Sequence, residues 1–376
     1  MKADTMWPLD PELAHLNHVS FGAVSTPVAE ERNEWLALLE RDPSMILTAA
    51  APKGVRKALW RVAKTFRTEG LHLLPVRNAT EGMQGALNTM LSAADGHVLW
   101  VSAHEYSSVK AYARRKANAL GVPLAEFGRT ACDPAALIDE LSDLCRNRPP
   151  MLLISHISSS TATVFPISKL AQWASSRGGM TAVDGAHGQG LLPILGLVSL
   201  DADFYVGNLH KWVGAPRTAA FVASQPGWND IRPVIESWWA SDEDLWARFG
   251  WPGTWDPTPW LSVSAALDVL EIQATGAVRA QQAELLNTIQ GHQEQFGLRP
   301  LMTPDQAPDL MRTLRLPDEI LAHSVKQELR DAGVLVWAET WLGIELLRLS
   351  VWMHNDEADA ERYLGALPGS LARSAA

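Results

Sequence analysis

The chain has 376 residues, 47% of them hydrophobic, enough for a sizeable core and more than a single domain usually holds. Its formal net charge is −10 with no lysine- or arginine-rich run, which argues against nucleic acid or an anionic membrane as the main partner and favours a small polar substrate. No stretch approaches the ~20 continuous apolar residues of a membrane span, and Met1–Asp10 lacks the basic-then-apolar order of a signal peptide, so a cytoplasmic location is expected.

From about residue 70 to 225, short β-branched and apolar runs alternate with helical patterns, the sequence form of a parallel sheet covered by helices. The segment Val76–Met83 reads as a strand end running into a helix. His97–Ala103 follows as a strand, then helices over Ser107–Leu120 and Pro134–Arg146, and a buried strand at Met151–Ile157. A helix around Lys169–Ser176 leads to strands at Thr181–Asp184 and Asp203–Gly207. Of the 16 tryptophans, Trp238, Trp239, Trp246, Trp251, Trp255 and Trp260 crowd together; most are expected in the core or at subunit contacts, and an aromatic wall around a bulky substrate is the alternative. Beyond them come helix Val278–Phe296, strand Met311–Leu316, helix Glu319–Asp331, strands Val334–Ala338 and Glu345–Trp352, and helix Asp356–Leu364, the order of a smaller α+β domain. The expected division is an N-terminal segment 1–50, a large domain 51–255 and a small domain 256–376. The two cysteines, Cys132 and Cys145, have no ligand spacing and suit neither a disulfide framework nor a metal site, so no metal is expected.

Three segments carry chemistry. In Thr181-Ala-Val-Asp-Gly-Ala-His187 an apolar strand delivers an acid at its carboxyl end, where α/β sheets bind ligands. In Phe204-Tyr-Val-Gly-Asn-Leu-His-Lys-Trp212 another strand ends in a polar cluster containing a lysine, which burial can activate by lowering its pKa. In Val76-Arg-Asn-Ala-Thr-Glu-Gly-Met83 a helix begins with backbone N–H groups and a threonine hydroxyl suited to phosphate, although Asn78 or Thr80 would equally serve as an ordinary cap.

These segments, with His15-Leu-Asn-His-Val-Ser-Phe-Gly22, His104-Glu-Tyr106, His156-Ile-Ser-Ser159, Gly253-Thr-Trp-Asp256 and Arg348-Leu-Ser350, resemble fold-type I pyridoxal 5′-phosphate (PLP) enzymes of aminotransferase class V, in the isopenicillin N epimerase-like branch. The resemblance spans nearly the whole chain. It implies a large domain with a mostly parallel, seven-stranded-type sheet, a smaller α+β C-terminal domain, and PLP as cofactor.

Residue by residue, the resemblance makes Lys211 the Schiff-base lysine and Asp184 the acid that keeps the pyridine nitrogen protonated, turning the ring into an electron sink. It puts Tyr106 where a ring stacks on the cofactor, and His187 and Ser159 near the phenolic oxygen or the substrate carboxylate. The phosphate would sit among Asn78, Ala79, Thr80, Asn208 and His210. Thr254 would reach the phosphate of a neighbouring subunit, which implies a homodimer with shared active sites. Arg348 would fork onto the substrate α-carboxylate. Asn17 and His18 would belong to a segment folding over the substrate, with Val19 standing where the pattern usually has glycine.

Loss of a group from Cα leaves a carbanion that such a ring absorbs, with Lys211 as the natural general base. The branch leads from there to β-elimination, epimerisation, transamination or decarboxylation coupled to oxidative deamination; a silent PLP-fold binding protein is the non-enzyme alternative. Cysteine desulfurases carry a reactive cysteine shortly before the carboxylate-binding arginine, and Gly333–Arg348 contains none. The expected reaction is carbon–sulfur bond cleavage in a bulky S-substituted cysteine.

Overall fold

The computed structural model describes residues 6–129, 133–145, 148–192, 196–238, 241–273 and 275–375; Cys132 and Trp239 lie outside them. The chain forms two compact units, the larger made of Val28–Ser159 and Phe165–Leu267 and the smaller of Met1–Pro27, Ser160–Val164 and Asp268–Ala376. Residues 28–50 and 256–267, separated from the large domain in the expected division, group with the larger unit.

In the larger unit, helix α1 (Ala51–Phe66) precedes strand β1 (His72–Val76), helix α2 (Ala79–Ser92), β2 (Val98–Ser102), α3 (Ser107–Leu120) and β3 (Leu124–Phe127). After these come α4 (Pro134–Leu144), β4 (Pro150–Ser155), α5 (Ile167–Ser175), β5 (Met180–Gly185), β6 (Phe204–Asn208) and β7 (Ala220–Ser224). The strands form one seven-stranded sheet in the order β1-β7-β6-β5-β4-β2-β3, and only β7 runs against its neighbours. Strands β4 to β7 are buried along their whole length, which is why they appear in sequence as mostly apolar runs without a regular polar–apolar alternation. In this sheet, the short β3 and the reversed β7 are the two strands not anticipated from sequence.

Helix α2 lies close against this sheet because residue 82 is glycine. A Cβ there would come 2.6 Å from Val206 and 3.0 Å from Val222. Around that contact Met83, Leu87, Met90, Leu99, Leu153, Ala182 and Phe204 form the core. The carboxyl ends of β1, β2, β4, β5 and β6 consequently open at one edge, each followed at once by one of the chemically active segments.

In the smaller unit, helix α6 (Gly276–Gln293) is followed by β8 (Arg299–Pro300), β9 (Met311–Arg315), α7 (Ala322–Asp331), β10 (Trp337–Trp341), β11 (Ile344–Ser350) and α8 (Glu357–Ser374). The sheet is antiparallel, ordered β10-β11-β9-β8. The expected strand Val334–Ala338 divides at Val336: Val334–Leu335 pairs in parallel with Ala14–His15, and β10 joins the main sheet. Helix α8 runs past the expected end at Leu364 and through Pro368, because Leu367, Ser370, Leu371 and Ser374 are spaced to bury one stripe and packing outweighs the missing N–H.

Candidate active site

Strands β5 and β6 are in register, Asp184 opposite Val206 and Gly185 opposite Gly207, so the acid and the Asn208–Lys211 turn emerge side by side. The Asp184 carboxylate is buried; its Oδ1 accepts the Ala186 N–H at 2.9 Å. Burial raises its pKa, while that N–H and the Lys211 charge pull the other way. Lys211 Nζ lies 3.2 Å from Nε2 of the buried His187, so the amine and imidazole can exchange a proton directly.

The start of α2 is tied to the same edge. Asn78 caps the helix, its Oδ1 accepting the Glu81 N–H at 2.9 Å, so the cap reading is realised. Asn208 Oδ1 accepts the Ala79 N–H at 2.8 Å, which joins β6 to the helix end and leaves the Asn208 amide NH₂ as a donor. Glu81 in the first turn would repel an anion, but its carboxylate is held in a fork by Arg77, at 2.8 Å from Nε and 3.1 Å from Nη2. The neutralised turn is free to present Thr80 to phosphate through the helix dipole. Burial lowers His210 to about 4, and its Nδ1 donates to the Ala219 carbonyl at 3.0 Å. Nε2 can therefore donate only when the ring is charged, a state a dianionic phosphate would favour.

Tyr106 immediately precedes α3 and is 44% exposed, an accessible ring next to the buried Glu105. Ser159 closes the segment after β4, half-buried, and Thr254 is exposed. The preceding residue, Glu105, is absent from the candidates drawn from sequence, although it sits inside the His104-Glu-Tyr106 motif; a charged residue leaving an apolar strand was the available signal. It is buried and its Oε1 accepts the Tyr106 N–H at 2.7 Å. Burial first, and then the Asp184 charge, push its pKa well above the ordinary carboxylate range, against the Tyr106 N–H, the Ser155 hydroxyl and Lys110. The two carboxyls share one dry site, so each disfavours ionisation of the other, and the Lys211 charge favours the ionised form of Asp184.

The sign of the resulting pH dependence follows. An unfolded glutamate releases its proton near pH 4.3, while folded Glu105 keeps it to higher pH. Its contribution is fully present below about pH 4.3 and is lost as pH rises through the folded-state value, at up to about 1.4 kcal/mol per pH unit. Glu105→Gln, neutral throughout, is expected to flatten that decline in melting midpoint between wild type and variant; identical slopes would refute the assignment.

In the smaller unit, Arg348 is 1% exposed on β11. Its Nη2 donates to Ser20 Oγ at 3.0 Å and to Asn17 Oδ1 at 3.4 Å, and the Ser20 hydroxyl donates to Asn17 Oδ1 at 2.7 Å. Burial lowers its pKa to about 9, with Glu339 acting the other way, so the guanidinium is a cation at neutral pH. His18 is turned into the core: it stacks on Trp352 at 5.3 Å, and its Nδ1 accepts the Ala23 N–H and faces His354 Nε2 at 3.3 Å. Val19 is buried in the helical turn His18–Phe21, its N–H donating to Ser350 Oγ at 3.0 Å, so this segment is anchored along β11 without a glycine.

Among the described residues, Trp238, Trp246 and Trp260 go to different surroundings. Trp260 is a core residue bonded to the Val76 carbonyl at 3.2 Å, Trp246 stacks on Arg56 at 4.3 Å, and Trp238 is 81% exposed. Trp255 and Trp260 line a cleft with Arg77, Glu81 and Phe249 of ≈ 20 Å³, room for a water or two and not for a bulky substituent.

A family model described as Aminotransferase class-V matches residues 23–362. An isopenicillin N epimerase from Amycolatopsis lactamdurans is 30% identical, the match covering 96% of this chain and 95% of that one. The chain belongs to the aminotransferase class-V family. Among other relatives, a probable chloroplastic L-cysteine desulfhydrase from Arabidopsis thaliana is 26% identical over 69% of this chain and 58% of that one. A cysteine desulfurase from Thermococcus onnurineus NA1 has the same fold, with TM-score 0.81, 16% identity, and 99% and 98% of the two chains covered.

Class-V membership makes the chain a PLP-dependent enzyme of fold type I, and its residues suit that cofactor. A lysine beside an imidazole, a buried carboxylate at the next strand end, and a helix start cleared of net negative charge are the donor set that an aldehyde, a pyridine nitrogen and a phosphate require. No single helix among the described residues is long and apolar enough to cross a membrane.

Proposed function

We propose that this class-V enzyme cleaves the carbon–sulfur bond of an S-substituted L-cysteine by β-elimination, water being consumed and a thiol, pyruvate and ammonia released. The observation that carries this reading is the 3.2 Å contact between Lys211 Nζ and His187 Nε2. Bound at this site, PLP would supply an electron sink for charge developing at Cα. Lys211 would hold the cofactor and, once displaced by substrate, take the Cα proton. His187, next to it, would relay that proton toward the departing sulfur, so both transfers run through one cluster. Asp184 would hold the proton on the ring nitrogen, Tyr106 would cover the ring, and Asn78, Ala79, Thr80, Asn208 and His210 would hold the phosphate. Ser159 would face the phenolic oxygen or the substrate, and Arg348, with Asn17, would bind the α-carboxylate. The same reading has the chain working as a cytoplasmic homodimer, with exposed Thr254 reaching toward the neighbouring subunit's phosphate.

Elimination needs a base and an acid that can be the same group, whereas epimerisation needs proton donors on both faces of Cα. The paired Lys211 and His187 supply the first requirement more directly. Epimerisation is the second reading, favoured by the 30% identity along 96% of the chain to the Amycolatopsis lactamdurans epimerase. Incubation of the PLP-loaded enzyme with S-alkyl and S-aryl cysteines and with free L-amino acids, followed by mass spectrometry and chiral separation, decides between them. Stoichiometric thiol and pyruvate are expected; D-isomer with no thiol, or carbon dioxide with no thiol, would replace this proposal.

A further inference from the structure

We infer that Trp337 is a positioning residue for Arg348: the indole face fixes the plane of the guanidinium and thereby makes the site select substrates that carry an α-carboxylate. The inference rests on the reading of Arg348 as the carboxylate-binding residue.

Strands β10 and β11 pair so that Trp337 stands directly opposite Arg348. The Arg348 Cζ lies 4.5 Å from the centre of the Trp337 ring. Cross-strand pairing thus places a flat, electron-rich surface against a flat cation, and tryptophan gives the strongest such attraction among the aromatic residues. The second constraint comes from the edge: Nη2 donates to Ser20 and Asn17, which are fastened to the same strand by the Val19–Ser350 bond and by the bridge between Asn17 and Ser350. A face contact and an edge contact together leave a long side chain little rotational freedom. A guanidinium forks onto a carboxylate only in one plane, so fixing that plane before substrate arrives removes an ordering cost that binding would otherwise carry. The guanidinium is also weakly hydrated, and a stacked ring excludes water from one face without competing for its N–H donors.

The test separates carboxylate recognition from amine recognition. The PLP-loaded enzyme is titrated with glycine and with methylamine, and cofactor absorbance gives both dissociation constants. Trp337→Leu is expected to weaken glycine by about 2- to 30-fold, Trp337→Phe by less, and neither should move methylamine by more than about twofold. In steady state the loss should appear in KM for the amino acid, with kcat little changed. Glycine affinity unchanged in Trp337→Leu would overturn the inference, as would equal loss of glycine and methylamine accompanied by a lower melting midpoint, the mark of a purely structural role. Arg348→Lys provides the separate control: if it leaves the glycine-to-methylamine ratio unchanged, the reading of Arg348 itself fails.

Discussion

Replacing Lys211 by alanine is expected to abolish the visible absorbance band of the lysine-bound cofactor and to lower turnover by at least about 10³-fold. The amine stands at the end of β6, 3.2 Å from His187, and in the proposed mechanism it both carries the cofactor and moves the Cα proton. No neighbour can assume both tasks, since His187 cannot condense with an aldehyde as a primary amine does. Lys211→Arg makes the experiment specific. It keeps the positive charge facing Asp184 and can still donate to His187, so folding is preserved, yet it too should lack the band. A variant that folds with an unchanged melting midpoint and no band confirms the assignment; a Lys211→Ala protein with an unaltered spectrum would refute it outright.

Asp184→Asn is expected to lower turnover by about 10²- to 10³-fold while leaving the fold at least as stable as the wild type. The amide keeps the shape of the carboxylate and can still accept the Ala186 N–H, so the turn after β5 should survive. It loses the charge that would keep a pyridine nitrogen protonated and that faces Lys211. Because burial disfavours the ionised acid, removing that charge relieves a cost in the folded state, and chemical denaturation should show no loss of stability. Parallel losses of turnover and stability would instead mark Asp184 as a structural residue. Glu105 beside it provides the contrast: Glu105→Gln should alter the pH dependence of stability much more than it alters turnover.

Much of the larger unit was legible in sequence because its central strands are covered on both faces. Runs such as Met151–Ile154 and Ala182–Val183 have to be apolar, and the residues that follow them lie at the ligand-binding edge of any parallel sheet. Strands β3 and β7 were not, since β3 is a short strand at the sheet edge with little burial pressure, and the direction of β7 is a property of its pairing with β1 and β6. In the same way the helix expected over Asp356–Leu364 extends to Ser374 because Leu367 and Leu371 pack in its continuation. The tryptophans were close in sequence, but adjacency along a chain says little about which ring faces a cavity: Trp260 went to the core and Trp238 to solvent.

From the sequence by itself came the family and cofactor of this protein and, through the family resemblance, the candidate residues Lys211, Asp184, Thr80 and Arg348, of which Asp184 and Lys211 stand at or just after the ends of parallel strands, where such sheets bind ligands. Only the tertiary structure decided how the candidates are wired. The Lys211–His187 contact, the buried Glu105 beside Asp184, the Arg77–Glu81 fork at the helix start and the stack of Trp337 on Arg348 each join residues through strand register, helix phase or burial. Charge and proton affinity depend on distance and on exclusion of water, and both are set by packing between segments that a linear pattern cannot rank.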